Sequence, residues 1–344
     1  MKLYALPLLS LAGLLAACSG ASPSTDDSSS ADTTNTPANA PSYDGDGFSG
    51  AKILRVADGA YVSKEDLVAT LSASDFSMFG EQHMTAPVQA LEKWLLGQTL
   101  TAVPDMALAM EHFQRDMQPV IDSYYAGTID QATFEAKAKV WPGYATYWRQ
   151  VVETAHGANR PLYGLNVPDE TFNGIYDQFP TWPLDAFDAI ADSDPFASSL
   201  PARPLLPWDA TYQSYFKNSF DYSAHGQKMG LSYDDALHYF TDLAVIRDET
   251  MAHWAIANEA IHSHLFVICG DWHIQTRLSV PDRISRMKPG AKITTITTSP
   301  SDKLADINGM SFFDGRPAAD YIITYTPPAA PTTPGTAPTP PAMP

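Results

Sequence analysis

The sequence predicts an α/β fold: a mainly parallel sheet flanked by helices, with an aromatic-rich, partly helical insertion. Two observations carry this. Apolar runs of strand length alternate with stretches of helical period, the order expected of βαβ units. Four of those runs also end on polar, chemically competent residues, as strands do whose carboxyl ends line the crevice of an open parallel sheet. They are residues 76–83 (FSMFGEQH), 106–113 (MALAMEHF), 161–166 (PLYGLN) and 265–273 (LFVICGDWH). Their tips carry Glu81 and His83, then Glu111, then Asn166, then His273.

The helices fall between these runs. Residues 87–100 place Val88, Leu91, Leu95 and Leu96 on one stripe, with Pro87 where a missing N–H costs nothing. A second helix is expected to begin at Glu111 and reach Tyr125, and Asp130 is a good N-cap for a third over 131–140. Residues 141–156 form another helical stretch, aromatic on one face. The pattern breaks over about 172–230, where prolines mix with Tyr176, Phe179, Trp182, Trp208, Tyr212, Tyr215 and other aromatics. A stretch this long without periodicity is commonly functional, and it reads either as a lid over the strand ends or as a satellite core. One long helix then covers 233–262, and residues 292–298 and 321–325 read as two late strands.

The ends of the chain have a different character. Lys2 precedes an apolar stretch over 3–17, shorter than the roughly 20 residues of a membrane span, and it ends in Leu15-Ala16-Ala17-Cys18. This resembles a bacterial lipobox, with residues 1–17 as signal peptide and Cys18 as the lipidated first residue. Ser19 and Gly20 after it favour the outer membrane by the same resemblance. Residues 18–50 are too poor in apolar side chains to offset the entropy of ordering, and read as a tether. Residues 327–344 repeat Pro, Thr and Ala and read as an extended tail. This leaves 51–326 as the folded part. A formal charge of −18 argues against nucleic acid as a partner. With Cys18 lipidated, Cys269 is a lone thiol inside an apolar run, expected to pack as a small hydrophobe.

Glu81 and His83 follow Gly80, which lets the backbone turn sharply off the strand. The pair can be metal ligands, an acid/base pair or a structural hydrogen bond. Glu111 is expected to project from the neighbouring strand, and Arg115 either pairs with it or clamps an anionic group. Gly270-Asp271-Trp272-His273 repeats the Gly-x-x-His pattern at another strand end. Together Glu81, His83, Glu111 and His273 make a two-histidine, two-carboxylate set for a divalent metal. His112 is expected on the opposite face and carries less weight. His156, His225, His238 and His253 are expected on helix or loop surfaces, with His262 and His264 at a helix end. Haem offers a different ligand chemistry, since Tyr, His and Met bind its iron and its faces want aromatic walls. With 16 Tyr and 11 Met there are too many donors to choose among.

In order along the chain stand Gly80-Glu81-Gln82-His83, Met110-Glu111-His112-Phe113-Gln114-Arg115-Asp116 and Tyr125-Ala126-Gly127-Thr128-Ile129-Asp130. Leu165-Asn166-Val167-Pro168, Arg247-Asp248-Glu249-Thr250-Met251-Ala252, Gly270-Asp271-Trp272-His273 and Val280-Pro281-Asp282-Arg283 follow. This series resembles the ChaN family of haem-binding lipoproteins, within the Tiki/TraB/erythromycin-esterase superfamily, over about 74–286. The resemblance implies a lipid-anchored haem-binding protein of the cell envelope that serves iron uptake. Haem would be held near a homodimer interface by a tyrosine that no motif here marks, with an outer-membrane haem receptor system as partner. Glu81, His83, Glu111, Arg115, Asn166, Arg247 and His273 are then the expected pocket residues, lying beneath the insertion. The wider superfamily implies the alternative of a hydrolase, with Glu81 or Glu111 as general base and a metal on His83 and His273. The chain departs from the family pattern at Met84 and Gln89, and at Trp272, which either narrows the pocket or stacks on a planar ligand.

Overall fold

The computed structural model describes residues 50–300 and 312–326. The expected signal peptide, the lipidated Cys18, the tether up to residue 49 and the tail over 327–344 lie outside the described residues. A short antiparallel hairpin opens the fold, β1 (Ile53–Arg55) and β2 (Ala60–Val62), followed by α1 (Lys64–Ser72). The core alternation is β3 (Phe76–Glu81), α2 (Ala86–Ala102), β4 (Met106–Gln114), α3 (Gln118–Tyr125), α4 (Gln131–Lys137), α5 (Tyr144–Tyr147), α6 (Arg149–Gly157) and β5 (Leu162–Asn166). The insertion holds α7 (Asp169–Tyr176), α8 (Pro183–Asp188) and α9 (Ala210–Lys217), and leads into the long α10 (Tyr233–Glu259). Then come β6 (His264–Gly270), α11 (Val280–Met287), β7 (Ile293–Pro300) and β8 (Tyr321–Tyr325).

The sheet order is β2-β1-β8-β7-β3-β6-β4-β5. The six strands from β8 to β5 run parallel, and the antiparallel pairings are those of β1, with β2 at the edge and with β8 on its inner side. Strands covered on both faces read as near-continuous apolar runs, and every residue of β3, β4 and β6 is buried, the polar ones falling mainly at the strand ends. Side-chain alternation divides them between two cores. Phe79, Leu108, Met110, Phe266 and Ile268 pack with α1 to α6 on one face. Met78, Ala107, Ala109, Leu265 and Val267 pack with α10 and α11 on the other. Cys269 lies in this second core, 3.9 Å from Met251 Sδ, as a packed hydrophobe.

The insertion builds its own core. Phe172, Phe187, Tyr212, Phe216 and the first half of α10 (Leu237, Phe240, Leu243) form it, joined by Trp272. The satellite-core reading therefore holds, and Trp272 is used up in it, stacked on Tyr215 at 5.5 Å and 12°. It is not free to stack on a ligand. One helix boundary also needs correcting. Glu111 does not start a helix, because β4 continues to Gln114, and a 3-10 turn over Arg115–Met117 leads into α3. His264 is no helix-end imidazolium either: it is the buried first residue of β6, with Nδ1 2.8 Å from the Ser74 carbonyl.

Gly164 shows how closely β4 and β5 approach. A Cβ there would stand 2.7 Å from the Gln114 carbonyl oxygen and 2.9 Å from that of Phe113. Backbone atoms of a central strand cannot yield cheaply, so Gly164→Ala should lower the unfolding free energy by roughly 1–3 kcal/mol in urea denaturation. Gly97→Ala is the control. Its Cβ would meet only a Thr154 methyl at 3.9 Å, inside α2, and the better helix former should be neutral or stabilise by up to about 1 kcal/mol.

Candidate functional site

Strand register brings the chemistry together. Glu81 pairs with Gly270 across β3 and β6, and Met110 pairs with Ile268 across β4 and β6. The ends of β3, β4 and β6 therefore finish side by side. Alternation then splits their side chains between the two faces. Glu81, in phase with Phe79, lies on the α2/α6 side together with His112; Glu111 lies on the α10 side with His273. His112 does point away from Glu111, as expected, but Glu81 is on that same face. His112 is thus a site residue that the sequence reading passed over.

On the first face one carboxylate gathers four donors from four elements. Glu81 Oε1 is bonded by His83 Nδ1 and by His112 Nε2, the latter at 2.7 Å. Its Oε2 accepts from Gln89 Nε2 at 3.0 Å and from Trp148 Nε1 at 2.9 Å. Burial alone would raise the pKa of Glu81, but the charges of His112 and His83 and these hydrogen bonds hold it well below the ordinary carboxylate range. Glu92 faces it from α2. Burial, and after it the Glu81 charge, push Glu92 well above that range, which makes it the neutral acid of the pair. Trp141 and Trp148 flank His112, each with its ring centroid 4.6 Å away.

On the second face the order is Asp248, His273, Glu111. His273 Nδ1 lies 2.5 Å from Asp248 Oδ1, and its Nε2 lies 3.4 Å from Glu111 Oε1. Glu111 Oε2 accepts the Gly270 amide at 2.8 Å, and Asp248 Oδ2 accepts the Tyr212 hydroxyl at 2.6 Å. Burial works against charging His273, but Glu111 and Asp248 overcome it and raise its pKa to about 9. Burial likewise opposes ionisation of Glu111, yet the His273 charge holds it well below 4.5. His273 is therefore an imidazolium held between two carboxylates at neutral pH.

His83 joins the two halves. A Cβ on Gly270 would come within 2.9 Å of His83 Nε2 and 3.5 Å of Glu111 Oε2, so the missing side chain is what lets the ring lie across the sheet edge. Gly80 has a comparable task and does not turn the chain. It sits inside β3, and its Cβ would meet Asp271 Oδ1 at 2.5 Å. Asp271 accepts from Thr297 Oγ1 at 2.6 Å and Gln82 Nε2 at 3.2 Å, and burial pushes its pKa up to about 7.

Three expected pocket residues fall elsewhere or act differently. Arg115 does not pair with Glu111. Its guanidinium stacks on Trp254 at 3.8 Å and hydrogen-bonds Gln118, in a separate groove of about 480 Å³ bordered by Phe196 and Ser199. Asn166 turns its carbonyl oxygen back onto the Val167 amide at 2.9 Å and does not reach the cluster with it. Arg247 is buried over the Phe172 ring at 4.6 Å, with Nε unpartnered, and feels the charges of Glu111, Asp169 and Asp248 without an ion pair. The four-membered metal set is also divided. The ligand atoms that lie within 4.8 Å of one another belong to Glu81, His83 and His112, not to Glu111 and His273.

The signs of these shifts fix a stability profile. His273, raised from 6.5 to about 9, contributes stability that is complete below pH 6.5 and lost as pH rises through 9. Glu81 and Glu111 are depressed below 4.5, so their contribution is complete above pH 4.5 and lost as pH falls. Asp271 and Glu92, raised by burial, act in the opposite sense to Glu81 and Glu111: they cost stability as pH rises above the ordinary carboxylate range. The part of the alkaline decline that belongs to His273, on the order of 3 kcal/mol for a shift of this size, should be lost in His273→Gln, leaving a shallower fall between pH 6.5 and 9 in chemical denaturation across pH.

Comparison with known proteins places the fold. The fold matches the structure of ChaN from Campylobacter jejuni, described with cofacial haem binding. The TM-score is 0.59 at 16% identity, over 79% of this chain and 96% of that one. The type III effector HopBA1 (13% identity, TM-score 0.39, 77% of this chain and 93% of that one) is more distant. So is a Bacillus cereus protein (12% identity, TM-score 0.39, 69% of each chain). No curated protein sequence matches. A family model described as haem-binding uptake, Tiki superfamily, ChaN, matches residues 67–284, more than half of the chain, and the protein belongs to that family.

Proposed function

We propose that this chain binds haem in the bacterial cell envelope and serves its uptake, anchored through a lipid on Cys18 in the outer membrane. Its membership of the haem-binding uptake family carries this reading. The strand-end array is not where a porphyrin fits. Glu81, His112, Glu111 and His273 are each 1% exposed or less, and their carboxylates and imidazoles are bonded to one another. Admitting a ligand of haem size there would mean opening the core. The surface of the insertion suits haem better. Trp182 and Trp208 are half-buried there beside the partly exposed His238, and the exposed Phe179 meets the adjacent Tyr239 edge-on. That is an apolar, aromatic surface with an iron donor at hand. An open site leaves one haem face uncovered, which a second copy of the chain can close, so a homodimer belongs to the same proposal.

A second reading has one observation in its favour. Glu81 Oε1 is shared by His83 and His112, and a divalent cation replacing their two N–H protons would find three ligands already converged. Those three residues would hold it, and it would supply Lewis acidity for hydrolysis. Asp248 holds the His273 imidazolium in place, whichever reading applies.

One experiment separates the two. The full chain, purified without added cofactor, is analysed for metals and then titrated with ferric haem, following absorbance and particle mass. The haem reading expects a shifted Soret band saturating at one haem per chain, a mass doubling on loading, and no stoichiometric divalent metal. A stoichiometric metal that is lost in His112→Ala, with no Soret shift, would favour the hydrolase.

A further inference from the structure

Most arginines of this acidic chain end on a carboxylate. Arg55, Arg149, Arg203, Arg277 and Arg286 reach Asp58, Glu135, Asp192, Asp320 and Asp282, and the buried Arg283 reaches Glu249. Arg115 is different. It is half-buried in the turn that follows β4, and among the described residues it makes no ion pair. Burial opposes its charge more than the Asp122 carboxylate favours it. Its one hydrogen-bond partner among the described residues is Gln118, which accepts from Nη1 at 2.9 Å. A guanidinium carries five N–H donors, so most of this one's capacity is unspent.

The mount that holds Arg115 is rigid. Its guanidinium lies over the Trp254 ring at 3.8 Å, and the Trp254 indole N–H is pinned to the Ser199 carbonyl at 2.8 Å. Gln118 is locked as well. Its Oε1 also accepts the Gly164 amide at 3.0 Å, and its Nε2 donates to the Leu162 carbonyl at 2.9 Å and to Asp122 Oδ1 at 2.8 Å. With Nη1 spent on Gln118, the edge formed by Nε and Nη2 remains. A side chain fixed in this way loses little freedom when a ligand arrives.

Arg115 lines a groove of about 480 Å³ outside the carboxyl end of β4, bordered by the start of α3, by α10 and by the 3-10 turn Ala197–Ser199. That volume suits a small molecule, and Pro119, Pro195 and Phe196 give it an apolar wall. Its charges select the ligand. Arg115 is the single lysine or arginine lining the groove, while Asp116 and Asp122 line it too. Asp116 is turned to Lys139 at 3.3 Å, and Asp122 is bonded to Gln118. Neither neutralises Arg115, but both repel a second negative charge. A phosphate dianion is therefore disfavoured. A carboxylate brings one charge, and its two oxygens match the free guanidinium edge with parallel hydrogen bonds.

We propose that this groove binds a small monocarboxylate, with its two oxygens on Nε and Nη2 of Arg115 and its apolar body against Pro119, Pro195 and Phe196. The site stands apart from the haem-binding reading and does not depend on it.

The test is titration of the full chain with hexanoate, octanoate and phenylacetate, followed by calorimetry and ligand-observed NMR. The matching alcohols and hexyl phosphate are the comparators. At least one acid should saturate at one per chain, with its alcohol and hexyl phosphate at least about tenfold weaker. Arg115→Lys keeps the charge but loses the fork. It and Arg115→Gln should each weaken the acid at least about tenfold, with unchanged circular dichroism. No binding by any of the acids, or binding that survives both variants, overturns the proposal, as does tighter binding of hexyl phosphate. Haem that displaces the acid, and itself binds more weakly in Arg115→Gln, would give the guanidinium to a porphyrin carboxylate and overturn it too.

Discussion

A carboxylate cannot be buried in a protein interior without donors to replace the water it loses. Glu81 meets this condition with side chains from β4, α2, the junction of α5 and α6, and the turn after β3, and the arrangement of the whole sheet edge follows from it. The second face meets it again with His273 between Asp248 and Glu111. Neither half can be taken apart singly. Removing one partner strands a buried charge, which typically costs 3–5 kcal/mol.

This closure separates two tasks. Residues most suited to proton or metal chemistry are turned inward and occupied with each other. The aromatic surface proposed for a flat ligand belongs to the helical insertion, whose core is a distinct cluster. The two are joined by α10, which carries His238 and Asp242 near its start and Asp248 two turns later. Tyr212 of the insertion also reaches Asp248, so the insertion is tied to the strand ends through the same carboxylate that holds His273.

Much of the sheet could be read from the sequence. Runs buried on both faces are nearly continuous in apolar residues, so β3, β4, β5 and β6 stand out in the sequence, while β7 and β8 are marked by their β-branched and aromatic residues, Ile, Thr and Tyr. The three-residue strands β1 and β2 do not, because their length carries no period. The site was legible where a strand ended on a charged tip, as at Glu81, Glu111 and His273. It was illegible where helices contribute, since the rotation of α2 and α6 decides whether Gln89, Glu92 and Trp148 face Glu81. A signal was present in Gln89 and Glu92, polar residues three apart among the apolar side chains of α2. His112 was missed because strand alternation was applied to β4 without asking which face Glu81 occupied.

The central claim is that the strand ends form a closed network of charges, with His273 cationic inside it. Ring-nitrogen NMR of the folded protein tests this directly. At pH 7 both nitrogens of His273 should carry protons, and one should be lost only near pH 9. A neutral His273 tautomer at pH 7 would contradict it.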